Sequence, residues 1–135
     1  MNNKKLHIVA ITAIIKHNGK CLIIKRGENE IAFPGKWTLP GGKVEDKSSA
    51  IETLKRETLE EVGLQVDKIS FLSDFEFTRP DELHVVGLSF LCSVKEINVT
   101  LEDGLSDYAW IEAEDLDKYD LIDGVKKDLR LAFIK

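Results

Sequence analysis

The most constraining feature of this chain is an acidic segment that carries the start and stop signals of a helix. Ser49 is followed three residues later by Glu52, and this spacing forms a capping box that begins a helix. Gly63 supplies a left-handed cap where the helix ends. The sequence therefore predicts a helix over residues 49–62.

Three carboxylates lie in the last turns of this predicted helix. Residues three and four apart share one helix face, so Glu57, Glu60 and Glu61 project to the same side. Each like-charged pair costs roughly 0.2 to 0.5 kcal/mol, and each carboxylate near a helix C-terminus opposes the helix dipole by about 0.3 to 1 kcal/mol. A hard divalent cation, Mg2+ or Mn2+, would reverse the sign of these interactions. The pattern therefore favours a metal site over a solvated acidic face, which is the more common fate of a Glu-rich helix.

Two glycines precede the helix. Leu39 and Pro40 end a predicted short strand, and Gly41 and Gly42 are expected to form a turn after it. Because neither glycine carries a Cβ and both tolerate positive φ, the backbone can come close to an ion or a phosphate. A Gly-Gly pair alone indicates only a turn, and its distance from the acidic helix is what makes this one informative.

These residues together resemble the Nudix box, the metal-binding signature of the Nudix (MutT-like) hydrolases. Its pattern is Gly-x5-Glu-x7-Arg-Glu-U-x-Glu-Glu-x-Gly-U, with U aliphatic. The residues in register with it are Gly42, Arg56, Glu57, Glu60, Glu61, Gly63 and Leu64. Two positions depart from it, because Ser48 replaces the usual glutamate and Thr58 replaces an aliphatic residue. Weaker similarity extends over nearly the whole chain, at Arg26, Gly35, Trp37, Pro40, Gly41, Glu45, Trp110 and residues 114–116.

The resemblance implies hydrolysis of a nucleoside diphosphate linked to another moiety. Divalent ions would neutralise the diphosphate and lower the pKa of a water that attacks phosphorus. In this resemblance the Gly41 carbonyl, Glu57, Glu60 and Glu61 hold the metal, and Arg56 orients the neighbouring carboxylates. A guanidinium suits that role because it is a fixed positive fork inside an acidic cluster.

The resemblance also suggests which residues act on the substrate. The catalytic residues are expected to be Glu57, Arg56 and Glu60, with Glu57 as the first choice of general base. Glu102 and Asp103 on a later loop are alternative bases, since members of the family recruit this group from different places. An exposed loop position would explain their charges equally well.

Arg26, Phe33 and Trp37 are the expected substrate-binding residues. Arg26 suits a phosphate contact, although a solvated arginine at a strand end is an equal interpretation. Phe33 and Trp37, and also Phe75 and Phe77, are candidates for stacking on a base, whereas most aromatic residues on strands belong to the core.

Two further questions stay open at the level of sequence. Ser48 in place of glutamate leaves room for a Nudix module that binds nucleotides without catalysis. Pro80 lies sixteen positions beyond Leu64, where a proline resembles a marker of ADP-ribose hydrolases, but it also suits an ordinary turn. Nucleoside triphosphates, ADP-ribose, dinucleotides and capped RNA ends remain alternative substrates.

Composition agrees with one small enzyme domain over residues 1–135, with 43% hydrophobic residues to fill a core. A net charge of -5 disfavours a DNA scaffold or an anionic membrane surface as partner. No apolar stretch approaches a membrane span or signal segment, and Cys21 and Cys92 are expected to be buried free thiols. A cytoplasmic enzyme of a small nucleotide is therefore expected, and its oligomeric state is open, a homodimer included.

The expected fold is an α/β/α sandwich with a mixed sheet, as the resemblance implies. The predicted strands cover residues 6–15, 21–25, 37–40, 66–77, 84–94 and 108–111. An Asn18-Gly19 turn joins the first two strands, and alternation from Val86 to Val94 predicts one buried face. Helical spacing over residues 115–134, broken near Gly124, predicts a second helix.

Overall fold

The computed structural model of the chain describes residues 6–135. Its strands are β1 (His7–His17), β2 (Lys20–Arg26), β3 (Trp37–Thr38), β4 (Gly41–Lys43), β5 (Val66–Thr78), β6 (His84–Val94) and β7 (Leu105–Ile111). Its helices are α1 (Ala50–Val62), a 3-10 helix (Ala113–Lys118) and α2 (Val125–Phe133).

Within the described residues, the strands form one mixed seven-stranded sheet. β1 runs parallel to β6 along most of its length, and its other edge pairs with β4 and then with the start of β2. β5 pairs with β6 at one side, while β3 and β7 both pair with β2. Because β1 has partners on both edges, its apolar run lies in the middle of the sheet.

Each face of the sheet packs on its own helix. Ile11, Ala13 and Ile15 of β1 belong to one hydrophobic cluster, which includes residues of α1. Ile14 of the same strand belongs to a second cluster, which includes Leu129 and other residues of α2. Since successive side chains of a strand point to opposite faces, the two clusters lie on opposite sides of the sheet. The predicted α/β/α sandwich with a mixed sheet is therefore confirmed.

The two strongest local predictions are confirmed in detail. Asn18 and Gly19 have φ values of 48° and 77°, as a two-residue hairpin turn requires. In α1, the Ser49 side chain accepts a hydrogen bond from the Glu52 backbone N–H at 3.1 Å, and Gly63 caps the other end with a φ of 71°. These local signals fix the length of the helix that carries the carboxylates.

The burial predicted for β6 is wrong in one respect. Phe90 and Cys92 are buried as expected, on the α1 side, but Val85 and Ser89, which point the other way, are also buried. The reason is tertiary, because α2 covers the second face of the sheet. A strand that is covered on both faces need not show strict alternation.

The C-terminal prediction of one interrupted helix is also only partly right. The structure has the short 3-10 helix, an irregular segment over residues 119–124, and then α2. Leu121 is not helical and instead forms a bridge to Trp37. Its apolar side chain packs on the core from an extended segment. The spacing of apolar residues therefore matched a helix although this part of the chain is not helical. Two strand boundaries also differ, since β7 begins at Leu105 and β3 ends at Thr38.

Cys21 and Cys92 are free and buried, as predicted, and burial raises the pKa of their thiols to about 11 and about 12. These thiols stay protonated at neutral pH and act as small apolar groups. None of the helices found over residues 6–135 is long and apolar enough to cross a membrane.

Candidate active site

The acidic face of α1 lies against β4, the strand that contains the two glycines. The predicted turn is wrong, because Gly41 and Gly42 pair with Thr12 and Ile11 of β1 and neither has a positive φ. Glycine is needed for close approach instead. A Cβ on Gly41 would lie 2.2 Å from the Ile11 carbonyl oxygen, and one on Gly42 would lie 2.8 Å from the Glu57 Cδ. Glu57 therefore rests directly on the Gly42 backbone.

Glu57 and Glu61 form a close carboxyl pair on α1. Burial, followed by the hydrogen bond and the charge of Glu57, raises the pKa of Glu61 from 4.5 to about 8. A hydrogen bond with the Gly41 backbone opposes this change, and the charge of Glu102 adds to it. The two carboxyls share a hydrogen bond and the pKa of Glu61 is raised, so this end of the helix favours either a proton or a cation.

The loop that carries Glu102 is attached to the C-terminal end of α1. The Glu102 backbone N–H donates to the Glu61 carbonyl oxygen at 2.9 Å, and the Thr100 N–H donates to the Val62 carbonyl oxygen at 2.9 Å. These bonds satisfy carbonyl groups that a helix end leaves without partners. They also bring a third acidic residue to the Glu57–Glu61 pair, although Glu102 is far from that pair in sequence.

Arg56 lies beside the carboxylates that it was predicted to orient. Its Nη1 lies 3.3 Å from the Ser48 Oγ, its Nη2 lies 3.9 Å from the Glu57 Oε1, and its Nε lies 4.0 Å from the Glu60 Oε1. Ser48 thus keeps a contact with Arg56 without supplying a charge. The Glu60 side chain is 53% exposed, so it lies toward solvent.

The fit of a metal to this site is uneven. Over residues 6–135, no three histidine, cysteine or acidic side chains are arranged to hold a metal ion. The ligand atoms at Glu57, Glu61 and Gly41 would all be oxygens, however, and burial beside Glu57 raises the pKa of Glu61, so a cation would stabilise its ionised form. Oxygen donors with excess negative charge match Mg2+ or Mn2+. Glu60 would join them only after its side chain turned inward.

A cleft opens next to these carboxyls, and we call its first part the acidic cavity. It has a volume of about 300 Å³. Its polar lining comes from Arg26, Glu30, Glu61, Glu102 and Asp103. The Arg26 Nε donates to the Ala32 carbonyl oxygen at 2.6 Å, and its Nη2 lies 3.8 Å from the Glu30 Oε2. Arg26, which was predicted to contact phosphate, therefore lines this cavity.

The second part of the cleft, which we call the apolar cavity, has a volume of about 550 Å³ and lies on the α2 side of the sheet. Residues that line both cavities and so join them are Phe33, Thr38, Leu39 and Ile122. The rings of Phe75 and Phe77 are stacked in its wall, with centroids 6.2 Å apart and planes 9° apart.

Gly87 makes room for this aromatic wall. It pairs with Phe75 across β5 and β6, and a Cβ at this position would lie 1.9 Å from the Phe75 Cζ. The Phe75 ring therefore lies over the backbone of the neighbouring strand. Gly87 was not predicted as a site residue, since a glycine within a strand signals a close approach but not which group approaches.

The structure brings four of the eight predicted site residues to the wall of one cavity and leaves the other four outside both linings. Gly41, Glu61, Arg26 and Phe33 line the acidic cavity, and Glu57 is hydrogen-bonded to Glu61. Trp37 does not line either cavity.

The Trp37 ring packs instead on Tyr119, with centroids 4.9 Å apart, and the Trp37 backbone forms hydrogen bonds with Asp120 and Ile122. Pro80 lies in the turn between β5 and β6, beside an ion pair of Arg79 with Asp81. Two cavity residues that sequence reasoning missed are Asp128 and Ile122.

Comparison with known proteins agrees with this geometry. The NUDIX domain model matches residues 5–131. The nucleoside triphosphatase NudI of Escherichia coli O17:K52:H18 (strain UMN026 / ExPEC) is 33% identical over 131 residues, covering 90% of this chain and 93% of that protein. The MutT protein from Methanosarcina mazei Go1 is similar in structure, with a TM-score of 0.78, 27% identity and 96% of each chain covered.

A second solved structure supports the fold alone. The MutT NUDIX hydrolase from Burkholderia pseudomallei has a TM-score of 0.82 at 24% identity, covering 94% of this chain and 98% of that one. The chain belongs to the Nudix (MutT-like) hydrolase family. The predictions of family, fold and a Nudix pyrophosphohydrolase are thereby confirmed.

Proposed function

We propose that this enzyme hydrolyses a nucleoside triphosphate to a nucleoside monophosphate and pyrophosphate in the presence of Mg2+ or Mn2+. The observation that carries the proposal is the two-part cleft, in which the acidic cavity adjoins the apolar cavity through Phe33, Thr38, Leu39 and Ile122. A nucleotide has the same division into a charged phosphate chain and a flat apolar base. The similarity to a nucleoside triphosphatase, NudI, supports this substrate over ADP-ribose.

The phosphate chain belongs in the acidic cavity. Glu57, Glu61 and the Gly41 backbone would hold divalent cations there, with Glu60 joining after a change of side-chain conformation. A bound cation would neutralise the phosphates and make a water more acidic. Arg26 lies at the same cavity and would contact phosphate oxygens through its free N–H groups.

The proton of the attacking water needs an acceptor near this pair. Glu57 remains our first choice of general base, with Arg56 and Glu60 completing the catalytic group, because Glu57 is half-buried beside Gly42. Glu102 is the stronger of the two loop alternatives, since its charge acts on Glu61. If Glu102 were the base, Glu102→Gln would remove activity as completely as Glu57→Gln.

The base of the nucleotide belongs in the apolar cavity. Phe75 and Phe77 offer a flat, partly exposed aromatic surface, and Phe33 lies at the junction of the cavities. Stacking on such rings is favourable for any base. Trp37 lines neither cavity, so it would contact the substrate, as predicted, only if the ligand extended beyond both cavities.

The decisive experiment incubates purified protein with Mg2+, Mn2+ or excess chelator and a panel of nucleoside triphosphates, ADP-ribose and dinucleotides. Products are separated by chromatography. We expect pyrophosphate and a nucleoside monophosphate from triphosphates, and at least about a hundredfold loss of rate in chelator. Undiminished turnover in chelator would overturn the metal role. Binding of nucleotides by calorimetry without any turnover would instead support the catalytically inactive module.

A further inference from the structure

A buried carboxylate forms part of the apolar cavity and has no role in the chemistry described so far. Asp128, in the first turn of α2, is only 9% exposed and lines this cavity. One of its oxygens accepts a hydrogen bond from the Ser73 hydroxyl at 2.8 Å, and the other accepts from the Ser89 hydroxyl at 2.7 Å. The carboxylate is therefore fixed in position by two strands and one helix.

The two serines determine which hydrogen bonds remain for a ligand. Each hydroxyl has one hydrogen, and both hydrogens point to Asp128. An ionised carboxylate has about four acceptor positions, of which these bonds use two. The Ser73–Asp128–Ser89 group can therefore accept further hydrogen bonds but has no donor left to offer.

The other charged groups of the cavity also favour a ligand that donates hydrogen bonds. Asp74 and Asp123 are exposed carboxylates at its rim, and Lys127 is the only cation of its lining within residues 6–135. Lys127 is exposed as well, so water screens its charge more than that of a buried group. Apart from the Thr12 and Thr38 hydroxyls, which can donate or accept, the interior of the cavity thus presents the Asp128 acceptors and aromatic rings to a ligand.

We propose that Asp128 is a specificity-determining residue that selects nucleotides whose base carries an exocyclic amino group. This inference rests on the proposed function. An amino group of cytosine or adenine would donate to the free acceptor positions of the carboxylate. Uracil and hypoxanthine place a carbonyl oxygen at the corresponding position, and that oxygen would face the carboxylate in a desolvated cavity without a hydrogen between them.

The test uses pairs of substrates that differ at this one position. CTP is compared with UTP, and ATP with ITP, by kcat/KM of the unmodified enzyme with Mg2+. We expect the amino-bearing member of each hydrolysed pair to be preferred by roughly tenfold or more. Ratios within about twofold in both pairs would overturn the inference while leaving the proposed function intact. Absence of turnover with every nucleotide would overturn both.

A substitution then assigns the discrimination to one side chain. Asp128→Asn replaces an acceptor by a group that also donates, so the preference for CTP over UTP is expected to fall to within about threefold. The matched control is Asp117→Asn, which removes an exposed carboxylate paired with Lys126 of α2 and outside the apolar cavity. The control is expected to keep the ratio of the parent.

The ratio of kcat/KM for CTP to that for UTP distinguishes base recognition by Asp128 from a purely structural effect. If Asp128 only holds α2 on the sheet, Asp128→Asn lowers the rates for CTP and UTP equally and the ratio persists, which contradicts the inference. Circular dichroism and thermal unfolding show whether the variant is folded. If it is not, Ser73→Ala serves as a second variant, because loosening the carboxylate should raise KM for CTP more than for UTP, and equal changes would contradict the inference.

Discussion

The acidic and apolar cavities occupy one cleft but are assembled in different ways. The carboxyl pair and the glycine beneath it come from one stretch of chain, between Gly41 and Glu61. The apolar cavity takes residues from β1, β3, β5 and α2, and only folding brings these elements together. The proposed metal ligands therefore come from one contiguous segment, although Arg26 and Glu102 reach the same cavity from distant parts of the chain. The proposed base-binding wall depends on long-range packing alone.

The two cavities also differ in how well their polar groups are satisfied. In the acidic cavity, Glu61 shares a hydrogen bond with another carboxyl and its pKa is raised. In the apolar cavity, each Asp128 oxygen has a hydroxyl donor. Unsatisfied charge is expected where a cation binds, whereas a satisfied carboxylate is suited to rigid recognition. The predictions below test this contrast, beginning with the largest effect.

The largest effect is expected from the carboxyl pair. Glu61→Gln should lower kcat/KM at least about a hundredfold, because it removes a proposed metal ligand. Ser48→Ala should lower it by about threefold or less, since Ser48 contributes only a 3.3 Å contact to Arg56. Steady-state kinetics with Mg2+ measures both. Equal losses would show that Glu61 has no special role at the acidic cavity.

A smaller effect is expected at the aromatic wall of the apolar cavity. Phe75→Leu should raise KM by roughly tenfold with little change in kcat, because stacking on the base is lost while the acidic cavity is intact. Phe71→Leu is the control on the same strand. Phe71 is 61% exposed and packs on Phe90, away from the cavity. A similar rise in KM for both variants would mean that β5 acts through stability and not through contact with the base.

The third prediction concerns the stability of the metal-free protein and its pH dependence. Because the pKa of Glu61 is raised from 4.5 to about 8, the folded state holds a proton that the unfolded chain has released between these values. This group therefore makes stability fall as pH rises from about 4.5 to about 8. Glu61→Gln should remove that dependence and leave the protein as stable as the parent, or about 1 kcal/mol more stable, near pH 8.

Thermal unfolding in chelator and in Mg2+ provides the measurement. With metal the order should reverse, because a cation at a hundred times its dissociation constant adds about 2.7 kcal/mol to a protein that binds it only when folded. Clear destabilisation of Glu61→Gln in chelator would identify Glu61 as a structural residue, and the metal assignment would lose its physical basis.

The smallest effect is expected on the buried side of α1. Thr58 is fully buried, and its hydroxyl has no hydrogen-bond partner within residues 6–135. Thr58→Val should stabilise the protein by about 1 kcal/mol, since it replaces an unsatisfied hydroxyl with a methyl group. Thr53→Val is the matched control, because the equally buried Thr53 hydroxyl donates to the Ser49 carbonyl oxygen at 2.8 Å. Thr53→Val should destabilise, and the same sign for both would refute the argument.

Elements with local signals were predictable from the amino-acid sequence. The capping box at Ser49, the cap at Gly63 and the Asn18-Gly19 turn each act over a few residues, so hairpin and helix were predictable with nearly correct bounds. The carboxylates of the box follow from helix periodicity for the same reason. Helix periodicity did not predict that the Glu60 side chain would be exposed and lie near Arg56.

Other features of the fold and the cleft depend on contacts between residues that are distant in sequence. Gly41 and Gly42 looked like a turn because two glycines favour one, yet pairing with β1 made them a strand. Leu121 kept helical spacing but lies in an extended segment, because the side chain can reach the core from either conformation. Asp128 and its two serines are distant in sequence and meet only when α2 packs on the sheet. The proposed base recognition therefore depends on contacts between distant elements, which no local pattern of residues records.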